Sequence, residues 1–264
     1  MRRVALVTGS AKGLGVQTVL NLARTGHDIV ITYRSSEELA HKLKQDTEAF
    51  GVKCAAISAD VSSKEDCDRL ISQSLSEMGR IDILINNAGP YIAERKKLTD
   101  YTDHEWELML NGNLSSVFYL ARRVLPLMRE NHWGRIINFG FTQANEAPGW
   151  IYRSAYAAAK VGLVSLTKSM AQEEADTGIT VNMVCPGDIR GIYKEMTVQE
   201  AEAMAQETCS DPTIRPCTGE DIAKVILFLC SENSGGLNGN IIEINGGLTL
   251  QQLIDKHGNE TDSN

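Results

Sequence analysis

Tyr156 and Lys160 bound the stretch YAAAK, and residues four apart are neighbours on one helical face. A phenol can hand over a proton, although its ordinary pKa near ~10 suits it poorly to neutral pH. An ammonium close by favours the phenolate and brings that pKa down. The pair therefore suits the proton half of a carbonyl reduction, in which carbon receives hydride and oxygen receives a proton. The bland alternative is an amphipathic tyrosine beside a lysine whose stem snorkels along the helix. Other residues must decide.

A second group follows the first apolar run. There TGSAKGLG presents Gly9, Gly13 and Gly15, with Ser10, Lys12 and Leu14 between them. Glycines at a strand-to-helix turn let backbone approach a pyrophosphate, which the helix N-terminus attracts through its free N–H groups. Tight turns collect glycines too, so position carries the weight. The second apolar run ends ITYRSS. A carboxylate here would bind the adenosine ribose of NAD and repel a 2′-phosphate. Instead the chain offers Tyr33, Arg34 and Ser35, no acid before Glu37, and Lys12 as another cation. Each could be a solvated surface residue; together they suit a phosphate dianion, so NADP(H) is the expected cofactor.

These groups need a scaffold. Strand-like runs cover 4–9, 28–33, 53–60, 81–89, 135–140, 179–187 and 240–246, separated by segments of helical period. Nearly continuous apolar strands alternating with helices imply a parallel sheet covered on both faces. The expectation is a single α/β domain over 1–250, a doubly wound Rossmann-type sheet of about seven parallel strands. Residues 191–218 interrupt the rhythm after the sixth strand, where a lid over a ligand or a plain surface excursion would sit. Thr218 reads as an N-cap with acidic residues following. Residues 251–264 read as a tail that turns polar after Asp255 and frays.

The ordered motifs resemble the short-chain dehydrogenase/reductase family over residues 4 to about 248. Thr-Gly-x-x-x-Gly-x-Gly opens the match, NNAG (86–89) and YAAAK (156–160) continue it, and PG (186–187) follows the sixth strand. The branch most resembled is the 3-oxoacyl-acyl-carrier-protein reductases. The resemblance implies adenine contact at Asp60 and Val61, and passage of the cofactor along Asn87, Ala88 and Gly89. It implies nicotinamide-end contacts from Pro186, Gly187 and Ile189, with Lys160 on the ribose beside Tyr156. It also implies a relay asparagine; the following Leu-Ser-Ser-Val-Phe favours Asn113 over Asn111.

Two positions depart from the family pattern. The fifth strand should end in a serine that bonds the substrate oxygen, but RIINFGF places Phe141 there, and the gap to Tyr156 is two residues longer than usual. Losing one such donor costs roughly 3–4 kcal/mol of barrier. Thr142 is the first-ranked substitute, then no substitute at all, then the Gln143 amide. Gly191 stands where the family commonly has a threonine, shifting cofactor affinity toward the phosphate end.

The 264-residue chain has a net charge of −8, which argues against a broad nucleic-acid or anionic-membrane surface. Six scattered cysteines without a Cys-x-x-Cys pair read as reduced thiols, and no metal is expected. No stretch reads as a signal peptide or a membrane span, so a cytoplasmic protein is expected. An acidic carrier-protein partner would need local cations. Candidates are Arg122, Arg123, Arg129 and Arg135, although His132 and Thr177 stand where that branch has arginines. Trp150, Tyr152 and Arg153 could suit a flat or anionic small molecule at the mouth. The expected function is an NADPH-dependent reductase of a 3-oxoacyl thioester or similar ketone, assembling as a homotetramer or homodimer as the resemblance implies. Alternatives are reduction of another small carbonyl or imine (sugar, pteridine, quinone) and a nucleotide-binding pseudoenzyme.

Overall fold

The computed structural model describes residues 2–208 and 215–258, with backbone alone at 207–208 and 256–258. Its seven strands are β1 (Val4–Val7), β2 (Asp28–Tyr33), β3 (Cys54–Ser58), β4 (Ile83–Asn86), β5 (Gly134–Phe139), β6 (Ile179–Pro186) and β7 (Ile241–Ile244). They pair in parallel in the order β3-β2-β1-β4-β5-β6-β7. The order reverses between β1 and β4, and ligands of open α/β sheets bind at such a switch point, beyond the strands' carboxyl ends.

Alternation along the strands divides the core in two. Val4 and Leu6 of β1 with Leu84 of β4 face one layer, while Ala5, Val7, Ile83 and Ile85 face the other. That is the two-residue period of a strand buried on both sides. The first layer is completed by α3 (Lys64–Met78), α5 (Ser116–Glu130) and α6 (Ser154–Glu173), through Leu70, Val124 and Leu163. The second is completed by α1 (Leu14–Arg24), α2 (Glu37–Glu48) and α8 (Gly219–Leu229), through Leu22, Leu43 and Ile226. The doubly wound expectation holds.

Local chemistry sets the helix ends. Ser63 accepts from Asp66 N–H to start α3, and Gly79 closes it at φ 81°. Such a left-handed residue is cheap only for glycine. Thr218 and Asp221 cap α8 reciprocally, as the sequence suggested. Between α4 (Asp103–Leu110) and α5, residues Asn111–Ser115 widen into a π-helical turn. Such bulges rotate side chains out of the regular helical register, and here Asn113 points into the buried interior.

Two C-terminal segments remain, and the second differs from expectation. The segment after β6 forms a short turn at Gly191–Lys194 and then α7 (Val198–Thr208); residues 209–214, within the expected lid, lie outside the described residues. Residues read as a polar tail continue from Leu250 as α9 (Leu250–Gly258). The physical reason is tertiary: Leu250 and Leu253 are buried, and Leu250 joins the core beside α6. Residues 259–264 lie outside the described residues.

Candidate active site

Tyr156 and Lys160 lie on the first turns of α6, below the carboxyl end of β5. The Lys160 ammonium donates to the Phe139 carbonyl at 2.8 Å and stands 5.8 Å from the Tyr156 ring centroid. Burial lowers the Lys160 pKa to about 8. The Tyr156 phenol is pushed above its ordinary range, again by burial. This corrects the expectation that the pair alone depresses the phenol's pKa. Desolvation opposes the phenolate, and the lysine's proton is directed at a backbone oxygen.

Asn113 completes this group. Its amide donates to the Pro90 and Met109 carbonyls at 2.9 and 3.1 Å, leaving a buried Oδ1 with no partner. A Cβ on Gly89 would lie 2.3 Å from that Oδ1 and 3.6 Å from Lys160 Nζ, so the missing side chain at Gly89 leaves room beside both groups. Asn111 instead accepts from Ser115. The π turn therefore brings Asn113, and not Asn111, beside Gly89 and Lys160.

Phe141 is almost fully buried and leaves no open donor position. Its ring lies 5.0 Å from Trp150 and 6.1 Å from Tyr156, while Tyr91 meets Tyr156 edge-on at 5.2 Å. Thr142 borders the same space, but its hydroxyl donates to the Pro186 carbonyl at 3.3 Å. Gln143 turns away: its side chain donates to Glu146 and accepts from Leu250 N–H. The extra loop length has not swung either substitute free. A cavity of about 180 Å³ opens here, walled by Tyr91, Phe141, Trp150, Leu250, Leu253 and Ile254.

A second cavity, of about 300 Å³, lies on the other side of the switch point. Gly9, Lys12, Tyr33, Arg34, Ser35, Asp60, Val61, Asn87, Ala88 and Gly89 line it. Gly9 packs so closely that a Cβ would fall 2.9 Å from Ala88 Cβ, and one on Gly15 would fall 2.6 Å from Ser10 Cα. The Asn87 amide ties β4's end to the Thr8 and Gly9 carbonyls. Ser10 is buried and donates to Val7 O, so it shapes the loop from beneath. Gly13, just before Leu14 opens α1, donates its N–H to the Glu195 carboxylate at 2.6 Å. An anion is thus already received where a dinucleotide's phosphates would dock. Arg34 faces Asp60 at 3.7 Å. These residues fit a nicotinamide dinucleotide. Beyond them, Gly187 donates to Ile244 O and Ile189 donates to Gly187 O, so Ile189 has only its carbonyl to offer.

Other expected roles shift. Arg135 is buried and bonds three carbonyls, of Gly134, Gly178 and Ser231. Arg129 pairs with buried Glu174. Arg153 donates to Tyr91 Oη and to the Ala93 and Glu94 carbonyls, pinning that loop and leaving little for an anionic substrate. Sequence reasoning missed Tyr91, Glu195 and the α9 residues, since none stands in a motif.

Fold and site together define a Rossmann-type oxidoreductase built around a nicotinamide cofactor. A family profile described as enoyl-(acyl carrier protein) reductase matches residues 9–249. The chain is 50% identical to "Putative oxidoreductase YtkK" of Bacillus subtilis (strain 168), covering 94% of this chain and 97% of that protein. It is 33% identical to 3-oxoacyl-acyl-carrier-protein reductase FabG of Staphylococcus epidermidis, covering 95% of this chain and all of that one. A solved structure of an actinorhodin polyketide ketoreductase variant with NADPH superimposes with a TM-score of 0.79 at 27% identity, covering 94% of this chain and 98% of that one. The chain belongs to the short-chain dehydrogenase/reductase family.

Proposed function

We propose that the protein is an NADPH-dependent ketone reductase of the 3-oxoacyl reductase type, with Tyr156 as proton donor. The observation that carries this is that the unpartnered Asn113 Oδ1 and the Lys160 Nζ both flank Gly89. Gly89 lines the nucleotide cavity, and Tyr91, two residues on, lines the aromatic one. NADPH, when bound, supplies the hydride. Tyr156 gives its phenolic proton to the substrate oxygen as the carbonyl carbon becomes tetrahedral. Lys160, held by Phe139 O, stands behind it with a proton whose pKa of about 8 suits transfer near neutrality. Arg34 and Lys12 favour the 2′-phosphate form of the cofactor by charge. A homotetramer or homodimer in the cytoplasm is the accompanying expectation, and Phe118, half exposed on α5, is available to such an interface.

Two observations favour a small ketone over a carrier-bound acyl chain as second reading. Of four arginines expected to greet an acidic carrier protein, Arg135 is buried, Arg129 pairs with Glu174 and Arg123 with Asp68, leaving Arg122 over the Phe118 ring on α5. Phe141 also removes the hydroxyl that would polarise the carbonyl. The test follows NADPH absorbance with a short 3-oxoacyl thioester and a panel of ketones, sugars and quinones. Oxidation of NADPH by the thioester supports the first reading, and oxidation only by small ketones the second. Tight NADPH binding with no turnover anywhere would point to a pseudoenzyme.

A further inference from the structure

Among the described residues of the segment after β6, only Gly187 and Asp188 border the aromatic cavity. Its outer wall is α9, which contributes Leu250, Leu253 and Ile254 opposite Phe141, Trp150 and Ile151. Its start is capped reciprocally by Thr249 and Gln252, its apolar face is buried through Leu250 and Leu253, and Gln143 adds a tie to the loop after β5. The Gln143 Oε1 accepts the Leu250 N–H at 2.7 Å, satisfying a donor at the helix's open first turn. Gln143 is in turn locked: its N–H donates to Glu243 on β7 at 3.0 Å and its Nε2 donates to Glu146 at 2.9 Å. Its backbone sits at φ 64°, a left-handed conformation that a non-glycine side chain adopts only where its surroundings compel it. The residue therefore bolts the exit of β5, which carries Phe141, to both β7 and α9.

The charged groups that border this space are engaged elsewhere. Arg153 is committed to the 91–94 loop, Arg95 lies against the Tyr152 ring, and Asp188 pairs with Arg190. Between Trp150 and Phe141 on one side and Leu253 and Ile254 on the other, the surface is aromatic and aliphatic. A substituent placed there gives up its hydration and gains apolar contact, which favours hydrocarbon and penalises hydroxyls.

We propose that α9, fastened by Gln143, is the specificity wall of the site, and that it selects ketones bearing an uncharged apolar substituent, aliphatic or aryl, over hydroxylated or charged ones of similar size. Leu253 is the specificity-determining side chain and Gln143 a positioning residue. The inference rests on the reductase reading only for turnover; selectivity in binding stands apart from it.

The experiment uses the full-length protein with acetophenone, 2-hexanone and dihydroxyacetone as probes. Binding is read by calorimetry and turnover by NADPH absorbance. The wild type should bind the first two at least tenfold more tightly than the third. Leu253→Trp, which fills the cavity, should weaken acetophenone roughly tenfold, and Leu253→Ala should shift preference toward bulkier ketones by a similar factor. Gln143→Ala should raise KM for apolar ketones with kcat changed far less, and NADPH affinity should stay put. Gln143→Glu combined with Glu146→Gln, which keeps the acceptor for Leu250 N–H and a hydrogen bond between positions 143 and 146, should recover part of the loss. Equal binding of all three probes, or an order unmoved by Leu253→Trp, overturns the proposal. Selective binding without NADPH oxidation by these ketones or by a short 3-oxoacyl thioester would leave it standing and overturn the reductase reading instead.

Discussion

The carboxylate of Glu195 accepts a hydrogen bond from the Gly13 N–H at 2.6 Å, bridging the segment after β6 to the phosphate loop. Gln17, one turn into α1, donates to the Glu195 carbonyl at 2.6 Å. On the other side, the Lys194 carbonyl packs so tightly on Gly219 that a Cβ there would lie 2.0 Å away. The turn is therefore wedged between the starts of α1 and α8. Its acid satisfies a helix N-terminus that otherwise favours a phosphate. Glu195→Gln should strengthen NADPH binding by about two- to fivefold, the worth of one charge at a helix end. Fluorescence titration checks this; an unchanged or weaker affinity would show that the carboxylate does not compete.

Cofactor choice turns on Arg34. Removing it with Arg34→Ala should weaken NADPH about tenfold or more, the scale of a charge-assisted hydrogen bond, and leave NADH nearly unaffected. Titration with both nucleotides decides, and equal losses would remove the 2′-phosphate assignment.

Tyr156→Phe keeps the ring among Tyr91, Phe141 and Trp150 and deletes only the hydroxyl. The kcat should fall by about 10²–10⁴, the range of general acid catalysis, with NADPH affinity kept. Turnover within a few fold of wild type would mean that the proton comes from elsewhere.

Phe141→Ser should restore a donor and raise kcat on small polar ketones by as much as ~10², at a stability cost of about 3–5 kcal/mol for the lost ring. Thr142→Val should change kcat less than about twofold, because the hydroxyl already serves Pro186. A large loss in the valine variant would instead make Thr142 the working donor.

Burial of Lys160 has a pH signature. Its folded pKa, about 8, lies below its unfolded value, so the unfolded chain binds more protons between the two. Stability contributed at this position therefore rises with pH from about 8 toward 10.5. The melting temperature of wild type relative to Lys160→Met should climb over that window. A flat difference would mean that Lys160 is not desolvated.

Much of this architecture could be read along the chain. The seven apolar runs became the seven strands with ends shifted by a few residues, because each is short, nearly continuous and bounded by turn residues. Gly9, Gly13 and Gly15 fell at the switch point because a strand–glycine–helix junction is a local matter. The Tyr156–Lys160 pair and Thr218 as a cap are likewise short-range. Asn113 was separable from Asn111 by register, yet the π turn that aims it inward was not.

What the sequence by itself determined is the set of local agreements: strand period, glycine turns, helix caps and the i, i+4 pair. Their geometry depends on neighbours a few residues away. Only the tertiary structure decided that Lys160 would face Phe139 O, that Phe141 would close with Trp150 and Tyr156, and that Glu195 would reach Gly13, 182 positions away. It also turned an apparent polar tail into the wall of a cavity, through a bond between Gln143 and Leu250 spanning 107 positions. Such contacts depend on which surfaces the sheet brings together, and burial then sets the proton affinities. No pattern along the chain encodes that distance.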